Sequence, residues 1–402
     1  MQKLCIALCS LALVVCSASP AVAKAAWKER IDRIIGSRPV GVAIREQGRV
    51  LYQRSATTSR IPASNEKLLM SMALMDRVGA EFRFETTTAA ESVDDGVVVG
   101  DLWMLGQGDP TISSERQYTK SIPVPVTKVR GLARAVRDAG VTRIQGSVIG
   151  STGYFSHDWF APGWKSGFPQ DECPLPSALT INGNVNADGH HVSDPELRAA
   201  RALTRRLEKM EIHVGGPPAA SESPEGLQRV ASVRSERLPV LLEHTNQNSS
   251  NFFAEMLGKR LGVETRGRPG TIAKGALAIR SWAGRNDVDL TAHDSSGLSY
   301  ENRVTPLGIA RLLGYSEDQT WGLALRETLA QADQGTLDGR LEGVRVRAKT
   351  GTLQDISSLS GYVYMRRTDT WGEFSIMSGG MPKTTASSIE DQIVRVVTRS
   401  AR

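Results

Sequence analysis

The sequence predicts an α/β (α+β) fold, in which one antiparallel sheet is flanked by helices and an inserted, mostly β domain interrupts the chain. Three observations lead to this prediction. Alternating apolar residues mark two strands near the N-terminus and three near the C-terminus, and the nearly all-apolar residues 68–75 predict a buried helix. A long stretch rich in strands and turns separates the two ends. A chain of 402 residues is expected to form more than one domain.

The first element is predicted to be an export signal. Lys3 gives a short positive start, residues 5–16 form an almost unbroken apolar run, and Ala21-Val22-Ala23 supplies the small residues that a signal peptidase reads. The apolar run has about a dozen residues, whereas a membrane-spanning helix needs roughly 20. We therefore predict a signal peptide at residues 1–23, no transmembrane segment in the mature chain, and a periplasmic, extracellular or cell-wall location. A lipoprotein site at Cys16 is a weaker alternative, because the two preceding valines are bulky.

The predicted sheet is assembled from both ends of the chain. Residues 39–54 alternate as a β-hairpin around the turn Glu46-Gln47-Gly48. Residues 344–348 alternate into a third strand, and two more strands are predicted around residues 361–365 and 374–377. A closing amphipathic helix carries apolar side chains at helical spacing, at Ile389, Ile393, Val396 and Val397. Two strands from one end and three from the other predict a single antiparallel sheet.

The stretch between the two ends is predicted to be an inserted domain. It contains an apolar strand at residues 97–104, the turn Gly106-Gln107-Gly108-Asp109-Pro110 and a helix near residues 129–139. No internal repeat or low-complexity tract is evident. The predicted organisation is a main domain in two parts with one insertion between them, at residues 24–83, 229–402 and 84–228 respectively.

The composition narrows the class of partner. The formal net charge is +6, and it becomes +5 when Lys3 leaves with the signal. An anionic polymer such as a cell wall could attract this charge, and a solvated surface without a partner explains it equally well. Nucleic acid is not an expected partner, because the basic residues are dispersed. Only Cys173 remains in the mature chain, so no internal disulfide can form, and this residue is predicted to be a structural thiol.

The motif Ser64-Asn65-Glu66-Lys67 places a serine and a lysine on one face of a helix. The buried helix follows at once, so Ser64 lies at a helix N-terminus, where free N–H groups and the helix dipole favour developing negative charge. Lys67 must be neutral to accept the serine proton, and burial together with a second cation, Lys349, is expected to lower its pKa. Taken alone, the motif is more often a helix cap followed by a surface lysine.

A second motif, Ser249-Ser250-Asn251, precedes a predicted helix at residues 252–262. Serine and asparagine are also common helix caps, and this alternative stays open. In a catalytic role, the Ser249 hydroxyl between two lysines relays a proton to the leaving amine. The Asn251 amide then holds the peptide carbonyl of the substrate.

A third motif, Lys349-Thr350-Gly351, is predicted on a strand edge. Lys349 and Thr350 are expected to bind a terminal carboxylate. The small Gly351 is expected to let a substrate lie along the strand as an added β-strand. The backbone N–H groups of Ser64 and Thr352 are candidates for an oxyanion hole.

The three motifs in this order are the active-site set of penicillin-recognising serine enzymes. Further matching segments lie at residues 62–69, 105–110, 177–179, 182–184, 249–257, 296–299, 302–306 and 348–353. Together they resemble the class C low-molecular-mass penicillin-binding proteins, the serine-type D-alanyl-D-alanine carboxypeptidase/endopeptidase family. The resemblance covers most of the mature chain. It implies a transpeptidase/β-lactamase-like catalytic domain with an insertion after the nucleophile helix.

The resemblance also implies a chemistry. We expect hydrolysis of D-Ala-D-Ala ends, or of peptide cross-links, in peptidoglycan through an acyl-serine intermediate. β-Lactam antibiotics are expected to be covalent inhibitors, and no cofactor or metal is expected. The expected catalytic residues are Ser64, Lys67 and Ser249, and the expected substrate-binding residues are Asn251, Lys349, Thr350, Gly351 and Thr352.

Two other functions stay open, namely a β-lactamase of the same fold and a catalytically silent cell-wall-binding protein. A β-lactamase needs a base-held water for fast deacylation, and no Glu-x-x-Leu-Asn element is evident. The chain also departs from the family pattern at two points. Its insertion is shorter than in the longer members, and Tyr300 stands where an arginine is frequent. If position 300 touches the side chain of the substrate, a contact to an anionic stem-peptide residue is lost, so the preferred peptidoglycan chemistry stays open.

Two further groups of residues carry weaker signals. Asp188 and His190-His191 are not predicted to bind a metal, because adjacent histidines point in different directions. Trp159, Phe160 and Trp164 lie in a stretch rich in glycine and proline. They either wall the substrate groove or pack under a long loop, and both interpretations stay open.

Overall fold

The computed structural model describes residues 20–400. Most of the predicted signal peptide lies outside this range, and the first described helix begins at Pro20. The strands are β1 (Val40–Glu46), β2 (Arg49–Arg54), β3 (Glu85–Ala90), β4 (Ser92–Asp94), β5 (Val97–Val99), β6 (Leu102–Leu105), β7 (Arg143–Ile144), β8 (Val148–Thr152), β9 (His213–Val214), β10 (Ala219–Glu222), β11 (Gln228–Arg234), β12 (Val346–Leu353), β13 (Ile356–Met365) and β14 (Thr370–Gly379).

The α-helices lie before, between and after these strands along the chain. They are α1 (Pro20–Ile35), α2 (Glu66–Val78), α3 (Arg116–Ser121), α4 (Val129–Asp138), α5 (Phe168–Asp171), α6 (Pro195–Glu208), α7 (Leu238–Gln247), α8 (Asn251–Arg266), α9 (Ile272–Arg285), α10 (Pro306–Glu317), α11 (Gly322–Glu327) and α12 (Lys383–Ser400). Within residues 20–400, none of them has the length and apolar content that crossing a bilayer requires.

Five strands from the two ends of the chain form one antiparallel sheet, as predicted. Its order is β12-β13-β14-β1-β2, so β12 lies at an edge. The closing contact joins β14 to β1, for example where Phe374 faces Ile44. Strands β13 and β14 are longer than the apolar runs at residues 361–365 and 374–377 that predicted them. The predicted α+β class is confirmed by this arrangement.

Helices cover both faces of the sheet. Tyr362 of β13 belongs to the core that includes α2, α8, α9 and α10, whereas the next residue, Val363, belongs to the core that includes α1 and α12. Helix α2 contributes to the first core, and every residue from Glu66 to Met75 is buried. The apolar residues 68–75 predict this placement, because a helix without a polar stripe has no face suited to water.

The region between the two parts of this sheet contains two further sheets. Strands β10, β8, β6, β3 and β11 form a mixed five-stranded sheet, and β4, β5, β7 and β9 form a four-stranded sheet. Helices α4 and α6 share an apolar core with them. Strand β11 pairs with β3, so the larger sheet extends to Arg234. The predicted limit at residue 228 falls on the first residue of β11. We propose a limit after Arg234, because a boundary within a paired strand would divide one sheet between two domains.

Candidate active site

The nucleophile segment is a short 3₁₀ helix, Ala63–Asn65, that leads directly into α2. Ser64 is half-buried, and Lys67 is completely buried one turn along. The Lys67 Nζ lies 3.0 Å from the Ser64 Oγ, 2.8 Å from the Asn251 Oδ1 and 2.6 Å from the Ser296 carbonyl oxygen. The alternative of a surface lysine is therefore wrong for this chain.

The second motif divides its residues between capping and the site. Ser250 caps α8, because its hydroxyl accepts a hydrogen bond from the Phe253 N–H at 3.3 Å. Ser249 has a different partner, since its Oγ accepts a hydrogen bond from the Lys349 Nζ at 2.8 Å. Asn251 opens α8 and turns its Oδ1 toward the first lysine. The capping alternative thus holds for the middle residue of the motif.

The third motif alternates between the interior and a cleft, as a strand does. Thr350 and Thr352 line the cleft. A Cβ added to Gly351 would lie 2.8 Å from the Pro62 carbonyl oxygen and 3.0 Å from the Ser64 nitrogen. The missing side chain of Gly351 therefore makes room for the nucleophile segment, whereas the sequence had led us to expect that it makes room for substrate. The reason is the two-residue period, which places residue 351 on the face opposite its neighbours.

The predicted site residues come together around one cleft of about 430 Å³. Its lining includes Ser64, Ser249, Asn251, Thr350 and Thr352. Lys349, the lysine of the third motif, does not line the cleft. It is completely buried and contacts the Ser249 hydroxyl, which does. Strand β12 is an edge strand whose outer side is bridged at Ala348 to Ala330, so the part beyond that bridge, toward Thr352, is the part that can pair with an extended ligand.

Burial and the neighbouring carboxylates have opposite effects on the pKa of Lys67. Burial lowers the pKa of Lys67 to about 8, and the carboxylates of Asp294 and Glu255 act against this shift. The Glu255 Oε1 accepts hydrogen bonds from the backbone N–H groups of Ser295 and Ser296 at 3.0 and 2.7 Å. Asp294 likewise accepts hydrogen bonds from the backbone N–H groups of Gly297 and Ser299. The two carboxylates therefore hold the turn at residues 294–299, whose Ser296 carbonyl contacts Lys67.

All the influences on the pKa of Lys349 lower it. Burial lowers its pKa well below the usual value, and the charges of Lys67 and Lys383 add to the effect. Its Nζ donates to the Ser249 Oγ at 2.8 Å and to the Thr350 carbonyl oxygen at 2.7 Å. The sequence predicts that burial and the charge of Lys349 lower the pKa of Lys67. Burial is the leading cause there, whereas the effect between the two lysines is found on Lys349, whose pKa the charge of Lys67 lowers.

Several residues of the cleft were missed by the sequence reasoning. Lys165, Glu172 and Gln354 line it together with Tyr300. The Lys165 Nζ lies 5.1 Å from the centre of the Tyr300 ring and 3.0 Å from the Gln354 Oε1. A positive charge therefore stands beside the position where the family resemblance leads to an arginine. The sequence signal for Lys165 is weak. It follows Trp164, whose aromatic stretch is consistent both with a groove wall and with packing under a loop.

That aromatic stretch mainly packs. The buried Trp164 donates its Nε1 hydrogen to the Asp294 Oδ2 at 2.7 Å, and Trp159 donates to the Cys173 carbonyl oxygen at 3.1 Å. Phe160 is 52% exposed and lies outside the lining of the cleft. Burial raises the pKa of the Cys173 thiol well above its usual value, in keeping with a structural role. Among residues 20–400, no three or more His, Cys, Asp or Glu side chains are grouped to hold a metal.

Comparisons with known proteins agree with this geometry. The model of the family described as "D-Ala-D-Ala carboxypeptidase 3 (S13)" matches residues 21–188 and 177–400. The chain belongs to the S13 family. The D-alanyl-D-alanine carboxypeptidase of Actinomadura sp. is 26% identical to it, over 95% of this chain and 87% of that protein. As an S13 member, the chain is a serine-type hydrolase, and the predicted family and enzyme class are confirmed.

Two solved structures share the fold of this S13 chain. Penicillin binding protein 4 from Haemophilus influenzae has a TM-score of 0.75 and 20% identity, covering 92% of this chain and 97% of that one. The penicillin G-acylated predatory endopeptidase from Bdellovibrio bacteriovorus has a TM-score of 0.52 and 14% identity, covering 90% and 93%. These likenesses confirm the predicted fold class.

Proposed function

We propose that this S13 chain is a serine-type DD-peptidase of the cell envelope. It removes the terminal D-alanine of peptidoglycan stem peptides, or cuts their cross-links, through an acyl-serine intermediate. One observation carries the proposal: the Lys67 Nζ lies 3.0 Å from the Ser64 Oγ and has a pKa of about 8. With that pKa, roughly a tenth of the lysines are neutral at pH 7, against less than about one in a thousand for a free lysine.

The acylation step follows from the contacts of the three motifs. The neutral Lys67 amine takes the Ser64 proton while the Oγ attacks the carbonyl carbon of the D-Ala-D-Ala bond. The proton then passes through the Ser249 hydroxyl, which Lys349 holds at 2.8 Å, to the nitrogen of the leaving D-alanine. The backbone N–H groups of Ser64 and Thr352 stabilise the oxyanion.

The substrate lies along the outer edge of β12, between Ala348 and Leu353. Its backbone pairs with the strand in the manner of an added β-strand, and its carbonyl accepts the Asn251 amide hydrogen. The terminal carboxylate binds Thr350 and the Lys349 ammonium. Support comes from the cleft itself, whose lining contains Asn251, Thr350 and Thr352 together with Ser64.

The location and the inhibitors of the enzyme follow from the same proposal. The signal peptide at residues 1–23 exports the chain, and the mature enzyme acts in the periplasm or at the cell wall. β-Lactams acylate Ser64, as penicillin G acylates the structurally similar Bdellovibrio bacteriovorus endopeptidase. Like the Actinomadura sp. relative, this chain carries D-Ala-D-Ala carboxypeptidase activity.

Intact-mass analysis after a brief incubation with penicillin G tests the proposal. We expect one adduct on the mature protein that lasts many minutes, together with release of D-alanine from a peptide that ends in D-Ala-D-Ala. Both disappear in Ser64→Ala and persist in Ser59→Ala, an exposed serine just upstream.

Other outcomes of this experiment contradict the proposal in different ways. Rapid turnover of penicillin without a lasting adduct means that the chain is a β-lactamase. No adduct, with the antibiotic intact, means a silent cell-wall-binding protein.

A further inference from the structure

Glu172 is the single carboxylate among the described residues that line the catalytic cleft. Its Oε2 lies 3.4 Å from the Asn251 Nδ2, and its carbonyl oxygen lies 3.3 Å from the same atom. The oxygen of the same amide, Oδ1, accepts a hydrogen bond from the Lys67 Nζ at 2.8 Å. Glu172 is therefore joined to the Ser64 hydroxyl through two side chains, and its charge favours the protonated form of Lys67.

The backbone around Glu172 is firmly held although its side chain is exposed. Glu172 ends the short helix α5, and its N–H donates to the Phe168 carbonyl oxygen at 2.9 Å. The next residue, Cys173, is completely buried, and its carbonyl oxygen accepts the Trp159 indole hydrogen. The loop thus presents a carboxylate to the cleft from fixed backbone, which a surface side chain on a free loop would not do.

The second half of the proposed reaction requires such a group. Hydrolysis of the acyl-serine needs a base that takes a proton from the attacking water. Lys67 is completely buried, whereas Glu172 is exposed to solvent and lines the cleft. A carboxylate next to the Asn251 amide can hold that water against the ester carbonyl, because both groups accept or donate hydrogen bonds to it.

We propose that Glu172 is the general base of deacylation. The inference rests on the proposed acyl-serine mechanism. The water oxygen bonds to the acyl carbon, the bond from that carbon to the Ser64 Oγ breaks, and its electron pair stays on the Oγ. The water proton goes to the Glu172 carboxylate and from there to solvent, while the Lys67 ammonium donates a proton to the Ser64 Oγ, which it contacts at 3.0 Å. Acid product and free enzyme result, with Glu172 ionised and the Lys67 amine neutral for the next acylation.

Two rival roles for Glu172 predict different kinetics. A residue that only orients Asn251 acts on acylation and deacylation alike, because the amide contacts Lys67 in both steps. A residue that only binds an amino group of the substrate has no effect on penicillin G, which carries none. A general base changes deacylation alone.

The test measures both rate constants with penicillin G, by quenching and intact mass. For Glu172→Gln we expect the adduct lifetime to rise at least about tenfold, since general bases contribute roughly 10²–10⁴-fold and this site is open to solvent. The acylation rate constant stays within about twofold on the same argument. Glu172→Asp restores part of the deacylation rate, because it keeps a carboxylate on the same backbone.

Asp171→Asn is the matched control, because it removes an adjacent exposed carboxylate that is not part of the cleft lining. It should leave both rate constants unchanged. An unchanged lifetime in Glu172→Gln, or a parallel loss of acylation, would overturn the role of Glu172 while leaving the proposed DD-peptidase in place. Failure of the unmodified enzyme to form any adduct would overturn the proposed function itself, and the inference with it.

Discussion

The two lysines of the cleft share nearly everything except their electrostatic surroundings. Lys67 and Lys349 are both completely buried, and each Nζ reaches a serine hydroxyl, at 3.0 and 2.8 Å. Carboxylates surround Lys67, with Asp294 and Glu255 foremost. The charges that act on Lys349 are cations, Lys67 and Lys383. Burial lowers the pKa of both, and only Lys67 has anions that limit the fall to about 8.

The difference explains how one residue type serves two tasks. A lysine with a pKa of about 8 exchanges a proton easily near neutral pH, which a base requires. A lysine without a counter-ion gains its charge most favourably when an anion arrives, so Lys349 suits the binding of a substrate carboxylate. The surrounding carboxylates, rather than burial, therefore separate the base from the binding group.

Removing the base is the strongest way to test this comparison. We expect Lys67→Met to lower the rate of acylation by penicillin G by about 10³-fold, within the range for a lost general base. The Ser64 hydroxyl remains but has no group at 3.0 Å to take its proton. Quenched intact-mass measurements give the rate constant. Lys209→Met, at an exposed position, should match the unmodified enzyme; near-normal acylation in Lys67→Met would assign the base elsewhere.

The same change at Lys349 should have a smaller and more selective effect. We expect Lys349→Met to lower acylation by about 10²-fold for a substrate with a free carboxylate, since a charge-assisted contact contributes about 1.5–3 kcal/mol. For a peptide whose C-terminus is amidated, the loss should shrink to a few-fold. Comparing D-alanine with D-alaninamide release measures this, and an equal loss on both peptides would show that Lys349 acts on the reaction rather than on the carboxylate.

Sequence reasoning recovered the parts of this site that depend on local spacing. Ser64 and Lys67 share a helix face because they are three positions apart, and alternation identified the strand that carries Lys349. The carboxylates that distinguish the two lysines escaped it. Glu255 and Asp294 reach Lys67 only through the packing of separate elements, and no short spacing relates them. Likewise, the contact that requires Gly351 to lack a side chain joins two distant segments.

The carboxylate turn that faces Lys67 should also contribute to stability. The two Asp294 oxygens accept hydrogen bonds from the Trp164 indole, the Gly297 and Ser299 N–H groups and the Asn302 amide. We expect Asp294→Asn to lower the free energy of unfolding by about 2 kcal/mol, because an amide nitrogen cannot accept these bonds and leaves buried donors unpaired. Denaturant unfolding measures the loss. Asp289→Asn, at an exposed position, is the control, and an equal effect there would contradict the special role of the turn.

The mildest test changes one of the anions that act on Lys67 and reads the pH dependence. The neutral amine is the active form, so acylation by the unmodified enzyme should rise with pH through about 8. Burial raises the pKa of Glu255 to about 7, so its carboxyl is mostly ionised where the limb lies near pH 8. Removing that charge lowers the pKa of Lys67, and the rising limb therefore moves to lower pH in Glu255→Gln. The rate at pH 7 then increases, by less than about tenfold, since one pKa unit changes the neutral fraction tenfold at most.

Glutamine keeps the oxygen that accepts the Ser295 and Ser296 N–H groups, so the turn is preserved. Glu243→Gln, an exposed substitution of the same kind, should leave the profile unchanged. A limb that moves to higher pH in Glu255→Gln would mean that the carboxylates do not set the base apart from Lys349.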